Sequence, residues 1–382
     1  MLLTEVIADH IRAKGNRPIT FAEFMELALY HPQYGYYTTK AVDIGAQGDF
    51  FTSPHLGKDF GELLAVQFAQ MWEIMGQPVP FTLVEMGAGQ GILAVDILKY
   101  LYKHYPKFFN ALHYVIVEIS PGLRQKQQQL QGVADKVQWR SLEEIPANSI
   151  VGCCFSNELV DAMPVNLFLL QDGQLGEIYV TISEDNKFIE VCSAPSTPKL
   201  AQYFDLVEVN LAQLASNYRS EINLAALDWL SEVAQKLQQG YLLTIDYGYA
   251  AARYYNPMRS QGTLQCYYRH QHHNNPYINI GQQDITAHVD FTALERWGEK
   301  CGLHNIGFTQ QGLFLMGLGL GERIAAISTD NANNLQQLLQ RREVLHQLID
   351  PQGLGGFGVL VQSKALTPVQ VAIPLKGLMT SI

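Results

Sequence analysis

The 382-residue sequence predicts an α/β fold built on an open parallel sheet, and three observations predict it. Phe81-Thr-Leu-Val-Glu-Met-Gly-Ala-Gly-Gln-Gly-Ile92 runs from an apolar segment through three alternate glycines into a helical pattern of Leu93, Val95, Ile97, Leu98 and Leu101. That order reads as buried strand, tight turn, helix. His113-Tyr-Val-Ile-Val-Glu118 reads as the next strand. Two further apolar runs, Ile150-Val-Gly-Cys-Cys-Phe155 and Tyr241-Leu-Leu-Thr-Ile-Asp246, also end in polar residues. In such sheets ligands bind beyond the carboxyl ends of the strands, where these polar residues fall.

The glycine stretch carries the chemistry. Gly87, Gly89 and Gly91 let the backbone take positive φ and let a ligand approach where a Cβ would collide. The spacing E-x-G-x-G-x-G departs from the dinucleotide fingerprint G-x-G-x-x-G. Glu85, just before the turn, would repel a pyrophosphate and attract a cation. S-adenosylmethionine carries an ammonium and a sulfonium and no phosphate, so it is the expected cofactor, ahead of NAD. Glu118, at the end of the second strand, suits a bidentate hydrogen bond to ribose hydroxyls. The plainer alternative is a glycine turn that only packs a helix on a sheet.

Composition narrows the classes. A hydrophobic share of 47%, a charged share of 16% and a net charge of −10 describe a globular enzyme without a basic patch, so nucleic acid is not an expected partner. The five cysteines, Cys153, Cys154, Cys192, Cys266 and Cys301, form no C-x-x-C and read as reduced thiols. No apolar run approaches the roughly 18 residues of a membrane span. The chain opens on an amphipathic helix with Glu5 and Asp9, unlike a signal or transit peptide. A homodimer is left open.

In chain order, Leu2 to Lys14 reads as a helix, and Thr20-Phe-Ala-Glu23 as the capping box of a second. His31 to Tyr37 reads as a packed aromatic loop. Gly48-Asp-Phe-Phe-Thr-Ser-Pro54 is a polar turn ahead of a helix from Leu56 to Met75, with Thr52 or Ser53 as its cap and Pro54 in its first turn. Trp139, on a short third strand, could flank an adenine or fill the core. After Ile150 to Phe155 come Ser156, Asn157 and Glu158, with Asp161 at i+3, a spacing that on a helix faces both carboxylates one way. Asn166 to Val191 reads as an antiparallel meander, and Ile222 to Gln239 as a helix closed by Gly240. Ala250 to Val289 lacks periodicity and reads as a lid or substrate loop. Cys266, His270, His272 and His273 fit no zinc spacing, so no metal is expected. Asp290 is a natural N-cap. The domain division expected is a helical region over 1–78 that contributes to the site, then 79–382 with insertions at about 162–222 and 250–290.

The chain resembles the MidA-like family of class I methyltransferases, which includes the mitochondrial complex I assembly factor that methylates an arginine. The resemblance rests on Gly48-Asp-Phe-Phe-Thr-Ser-Pro54, Phe60-Gly-Glu-Leu-Leu64, Leu83-Val-Glu-Met-Gly-Ala-Gly-Gln-Gly91, Val117-Glu-Ile-Ser120, Asn157-Glu-Leu-Val-Asp-Ala-Met-Pro-Val165, Asp246-Tyr-Gly248 and Asp284 to Phe291. It implies a Rossmann-like, seven-stranded, mostly parallel sheet with one antiparallel strand, S-adenosylmethionine as cofactor, and a protein arginine as acceptor, on the family's precedent in a respiratory complex subunit. The cofactor shell it implies is Gly48, Thr52, Ser53, Pro54, Glu85, Gly87, Ala88, Gly89, Gly91, Glu118, Ile119 and Asn157. Ala88 stands where related sequences often carry proline, and without the N-terminal targeting extension of the mitochondrial members the resemblance implies the cytoplasm.

A guanidinium is protonated and its lone pair delocalised, so a methylating site must align one nitrogen and stabilise the cation. Carboxylates do both. Glu158 is the candidate that orients the acceptor, with Asp161 assisting and Asp49 as a third. The alternative gives Glu158 or Asn157 to the cofactor and makes Asp161 a helix cap. At the level of function, the alternatives are a small-molecule methyltransferase and a cofactor-binding assembly chaperone with little catalysis.

Overall fold

The computed structural model describes residues 2–39, 53–130, 134–269, 271–329 and 335–379. The chain divides into two compact units. One comprises Met1–Phe50, Val160–Ser231 and Gly248–Trp297; the other comprises Phe51–Leu159, Glu232–Tyr247 and Gly298–Ile382.

The second unit holds the main sheet. Its strands are β1 (Phe81–Met86), β2 (Leu112–Val117), β3 (Val137–Arg140), β4 (Ile150–Asn157), β5 (Leu237–Asp246), β6 (His304–Gln310) and β7 (Gly358–Lys364). Their spatial order is β6-β7-β5-β4-β1-β2-β3. β1 runs parallel to β2 and β4, β2 to β3, and β4 to β5; β7 alone is antiparallel, to both β5 and β6. This is the seven-stranded, mostly parallel sheet that the resemblance implies. The central strands are nearly continuously buried, as parallel strands covered on both faces must be. Helices Asp59–Ile74 and Ile92–His104 cover the sheet with Phe60, Leu64, Phe68, Leu93, Ile97 and Leu101, packed on Leu83, Phe155 and Leu243. The chain leaves β1 toward β2 and β3, then returns to β4 on the other side of β1. In open α/β sheets ligands bind at such a reversal, here beyond the carboxyl ends of β1 and β4.

Gly240 does not close a helix. The helix ends at Lys236 and β5 begins at Leu237, so Gly240 is a strand residue opposite Gly152 of β4. A Cβ on Gly240 would lie 1.8 Å from the Gly152 carbonyl oxygen, and one on Gly152 would lie 2.1 Å from that of Thr82. Glycine is required there for close backbone approach rather than for a cap.

The first unit is built on an antiparallel sheet ordered Ile19–Thr20, Gln174–Ile182, Asn166–Gln171, Arg219–Ile222, with Phe188–Ser193 also paired to Gln174–Ile182. Its Asp172-Gly173 turn has φ 51° and 79°, as a tight hairpin needs. Helices Leu3–Ala13 and Phe21–Tyr30 bury Ile7, Ile11, Phe21, Phe24 and Leu29 with Leu167, Ile178 and Val180 of that sheet. The Thr20 hydroxyl caps the second helix, accepting from Glu23 N at 3.1 Å. Helix Asp59–Ile74 belongs to the main-sheet unit, so the structure divides the chain elsewhere than at the expected 78/79 boundary. Its apolar face is complementary to the main sheet, whereas the helices before residue 39 match the meander.

The segment read as a lid contains helix Ala251–Tyr254 and a three-stranded antiparallel sheet of Gln265–Tyr268, Gln271–His273 and Asp284–Thr286. Buried Glu221 anchors its start, accepting from Thr263 N at 3.0 Å, Leu264 N at 3.1 Å, the Thr263 hydroxyl at 3.0 Å and the Tyr254 hydroxyl at 3.2 Å. Asp290 caps helix Phe291–Lys300, accepting from Ala293 N at 3.3 Å.

Candidate cofactor site

The turn after β1 is shaped by three glycines in the left-handed region: φ is 72° at Gly87, 53° at Gly89 and 78° at Gly91. Gly87 N donates to Val117 O at 3.1 Å, and Gly91 N to Ala88 O at 2.8 Å. The three are not equivalent. A Cβ on Gly87 would lie 2.8 Å from Leu159 Cδ1, and one on Gly91 2.6 Å from Leu130 Cδ1. A Cβ on Gly89 would meet nothing within 4 Å. Gly87 and Gly91 are close-packed, whereas Gly89 turns its backbone toward open space where a ligand has room.

Glu85 is buried, and Tyr114 on β2 donates its hydroxyl to Oε2 at 2.6 Å. Burial pushes the Glu85 carboxyl up to about 7; the Tyr114 bond opposes that shift and the charge of Glu118 adds to it. Glu118 is buried at the end of β2, and desolvation raises its carboxyl too. Ser120 N donates to Oε1 at 2.8 Å and Gln127 Nε2 to Oε2 at 3.2 Å, and both, with the Ile119 backbone amide, oppose that rise without filling the roughly four acceptor sites of a carboxylate. Ile119 stands 68% exposed beside this carboxylate, an apolar surface of the kind a base can rest on.

Sequence reasoning missed Tyr114 and Gln127. Gln127 is fully buried at the end of helix Pro121–Gln127. Its Nε2 donates to Gly89 O at 2.7 Å as well as to Glu118, and its Oε1 accepts from Trp139 Nε1 at 2.9 Å. Trp139 is half-buried against the core with its N–H committed to Gln127. No local signal separates Gln127 from Gln125, Gln128 and Gln129 beside it.

At the end of β4, Asn157 Nδ2 donates to Glu158 Oε1 at 3.1 Å, and Glu158 N donates to Ile245 O at 2.9 Å. Asn157 Oδ1 and the Ser156 hydroxyl are buried without a hydrogen-bond partner, so both keep hydrogen-bonding capacity at the end of β4. Asp246, at the end of β5, is fully buried and accepts from Tyr247 N at 2.9 Å.

The expected helical pairing of Glu158 with Asp161 does not form. Residues 158–165 are turn and bend, and Glu158 has φ 51°, which no helix accommodates. Asp161 therefore caps no helix either. It belongs to the first unit, where its backbone oxygen accepts from Ala287 N at 2.9 Å. Ser53 opens the short helix Ser53–Leu56, which Pro54 continues, and its buried hydroxyl accepts from Gln311 Nε2 at 3.1 Å. Gly48, Asp49 and Thr52 lie outside the described residues.

A glycine turn open at Gly89, a ribose-type acid with spare lone pairs, a buried acid before the turn and two orphaned polar atoms fit a cationic nucleoside such as S-adenosylmethionine. They do not make a pyrophosphate cradle.

Residues 63–309 match a family model described as "Putative S-adenosyl-L-methionine-dependent methyltransferase". The chain is 30% identical to the Drosophila melanogaster "Protein arginine methyltransferase NDUFAF7 homolog, mitochondrial", over 91% of this chain and 82% of the relative. It is 27% identical to the human protein arginine methyltransferase NDUFAF7, mitochondrial, over 90% and 79%. A crystal structure from Burkholderia thailandensis, solved bound to S-adenosyl-homocysteine, superposes with a TM-score of 0.84 at 29% identity, over 98% of this chain and 94% of that one. The relatives are mitochondrial proteins, which overturns the cytoplasmic expectation. That expectation rested on not finding the N-terminal extension of the mitochondrial family members, and an absence carries no address.

Proposed function

The chain belongs to the S-adenosyl-L-methionine-dependent methyltransferase family, and we propose that its methyl acceptor is an arginine side chain of a protein. The arginine methyltransferases it resembles over nine-tenths of its length support that acceptor. The observation within the chain that carries the reading is the end of β4. There Asn157 holds the Glu158 carboxylate, while the next residue, Leu159, packs against Gly87 of the cofactor turn.

When bound, S-adenosylmethionine supplies an electrophilic methyl group on its sulfonium. The chain's residues do the rest. Gly89 offers backbone, Glu118 receives the ribose hydroxyls, Ile119 supports the base, and Asn157 with Ser156 offers unspent hydrogen-bonding capacity. Ala88, Gly87 and Gly91 shape the turn, Glu85 favours a cationic ligand, and Gly48, Thr52, Ser53 and Pro54 are kept in the shell on the resemblance. Glu158 orients the acceptor guanidinium by charge and a fork-like hydrogen bond. Asp161 and Asp49 are retained as assisting carboxylates on sequence grounds alone.

Glu158→Gln tests this by keeping shape and removing charge. Labelled-methyl transfer onto protein should fall at least about 100-fold, on the scale of losing one transition-state contact, with S-adenosyl-homocysteine affinity unchanged. Lost affinity would move Glu158 to the cofactor shell, and near-normal transfer would remove it from the mechanism. Label appearing in small molecules rather than protein would replace the acceptor.

A further inference from the structure

We propose that Gln127 is a positioning residue for the cofactor, one buried amide that sets the Glu118 carboxylate and the Gly89 peptide in a single arrangement. The inference rests on the reading of Glu118 as the ribose acid. The amide's orientation is forced. Trp139 Nε1 can only donate, so Oε1 must face it, and both hydrogens of Nε2 are then directed at Gly89 O and Glu118 Oε2. The stem runs beside Gly91, where a Cβ would come within 3.3 Å of Gln127 Cγ. One side chain thus joins the glycine turn at Gly89 O to the ribose acid, and Trp139 ties it to β3.

A packing role alone would be met by leucine or methionine without burying an amide at 0% exposure. What the amide adds is direction. With Ser120 N on Oε1 and Gln127 Nε2 on Oε2, the Glu118 carboxylate cannot rotate, and its remaining lone pairs are aimed before any ligand arrives.

The test compares calorimetric affinities for S-adenosyl-homocysteine and its 2′,3′-dideoxy form, in the 382-residue chain. Gln127→Leu should weaken the complete ligand about tenfold or more, the value of one charge-assisted hydrogen bond, and weaken the dideoxy ligand by clearly less, since that ligand feels the loss only through Gly89. Gln127→Glu keeps the acceptor for Trp139 but donates only when protonated. Measured against the parent protein at each pH, it should show the same selective loss at pH 8 and recover as pH falls. If Gln127→Leu does not fold, Gln127→Glu decides alone. Equal losses for both ligands, or no loss in either variant, would overturn the proposal. Glu118→Ala is the separate control: if it failed to distinguish the two ligands, the ribose reading itself would fall.

Discussion

At Glu85 burial and ligand charge pull in opposite directions. Desolvation holds the folded carboxyl at about 7 against an ordinary value of 4.5. A carboxyl raised in this way favours folding below about 4.5, and that contribution is lost as pH rises toward 7, a swing on the order of 3 kcal/mol. A ligand carrying an ammonium and a sulfonium favours the ionised form, so binding should expel a proton and affinity should rise with pH through about 7. Glu85→Gln should flatten that rise and gain stability over the parent above pH 7. Thermal unfolding and calorimetric titration across pH 5 to 8 check both; an unchanged affinity slope in the variant would remove Glu85 from the cofactor's charge environment. Gly89→Val puts a β-branched side chain at φ 53° into open space, so a modest loss of stability should accompany at least about a tenfold loss of S-adenosyl-homocysteine affinity. The glycines and the two acids were readable because a tight turn admits few residues and an acid at a strand's end has few structural uses. Gln127 was not, since only tertiary contacts distinguish one glutamine from its three neighbours.

Elements are read by period, and the misreadings came where two elements share one sign. A glycine after an amphipathic helix commonly closes it, yet Gly240 sits inside β5, and nothing local tells a cap from a close strand crossing. Gly240→Ala should therefore cost more than about 3 kcal/mol, because backbone rather than a yielding side chain blocks the methyl. Urea unfolding measures it, and a loss comparable to an exposed helix-end glycine would refute the strand assignment. The 158–161 spacing failed for a related reason: a positive φ at Glu158 is invisible in residue order. In the segment after Gly248, Glu221 is distant in sequence from Thr263 and Leu264, whose amides it receives. Glu221→Gln should speed hydrogen exchange at 263–264 at least about tenfold. The lid role proposed for 250–289 further expects that cofactor and acceptor together slow exchange there; indifference to both would leave it a structural segment.

Across the whole molecule the chain passes between the two units five times, since six alternating segments compose them. A linear reading gathers 1–78 into one region, and only the matching of apolar faces shows that Phe21 and Phe24 complete the core around Leu167 and Ile178, while Phe60 and Phe68 complete the other. The described residues proposed for the cofactor, Glu85, Gly89, Glu118, Gln127 and Asn157, all fall in the main-sheet unit. The consequence is a separation of effects. Phe24→Ala empties a fully buried ring site in the first unit and should destabilise that unit by about 3–5 kcal/mol. Binding of S-adenosyl-homocysteine should stay at the parent's affinity, because none of the residues proposed for the cofactor is a member of that core. The proposals for Asp161 and for the lid over 250–289 both employ residues of the first unit, and under them methyl transfer to protein should fall. Calorimetric titration beside labelled-methyl transfer distinguishes the two. A proportional loss of both would mean that cofactor binding draws on the first unit after all, and the assignment of the cofactor site to the main-sheet unit would fail.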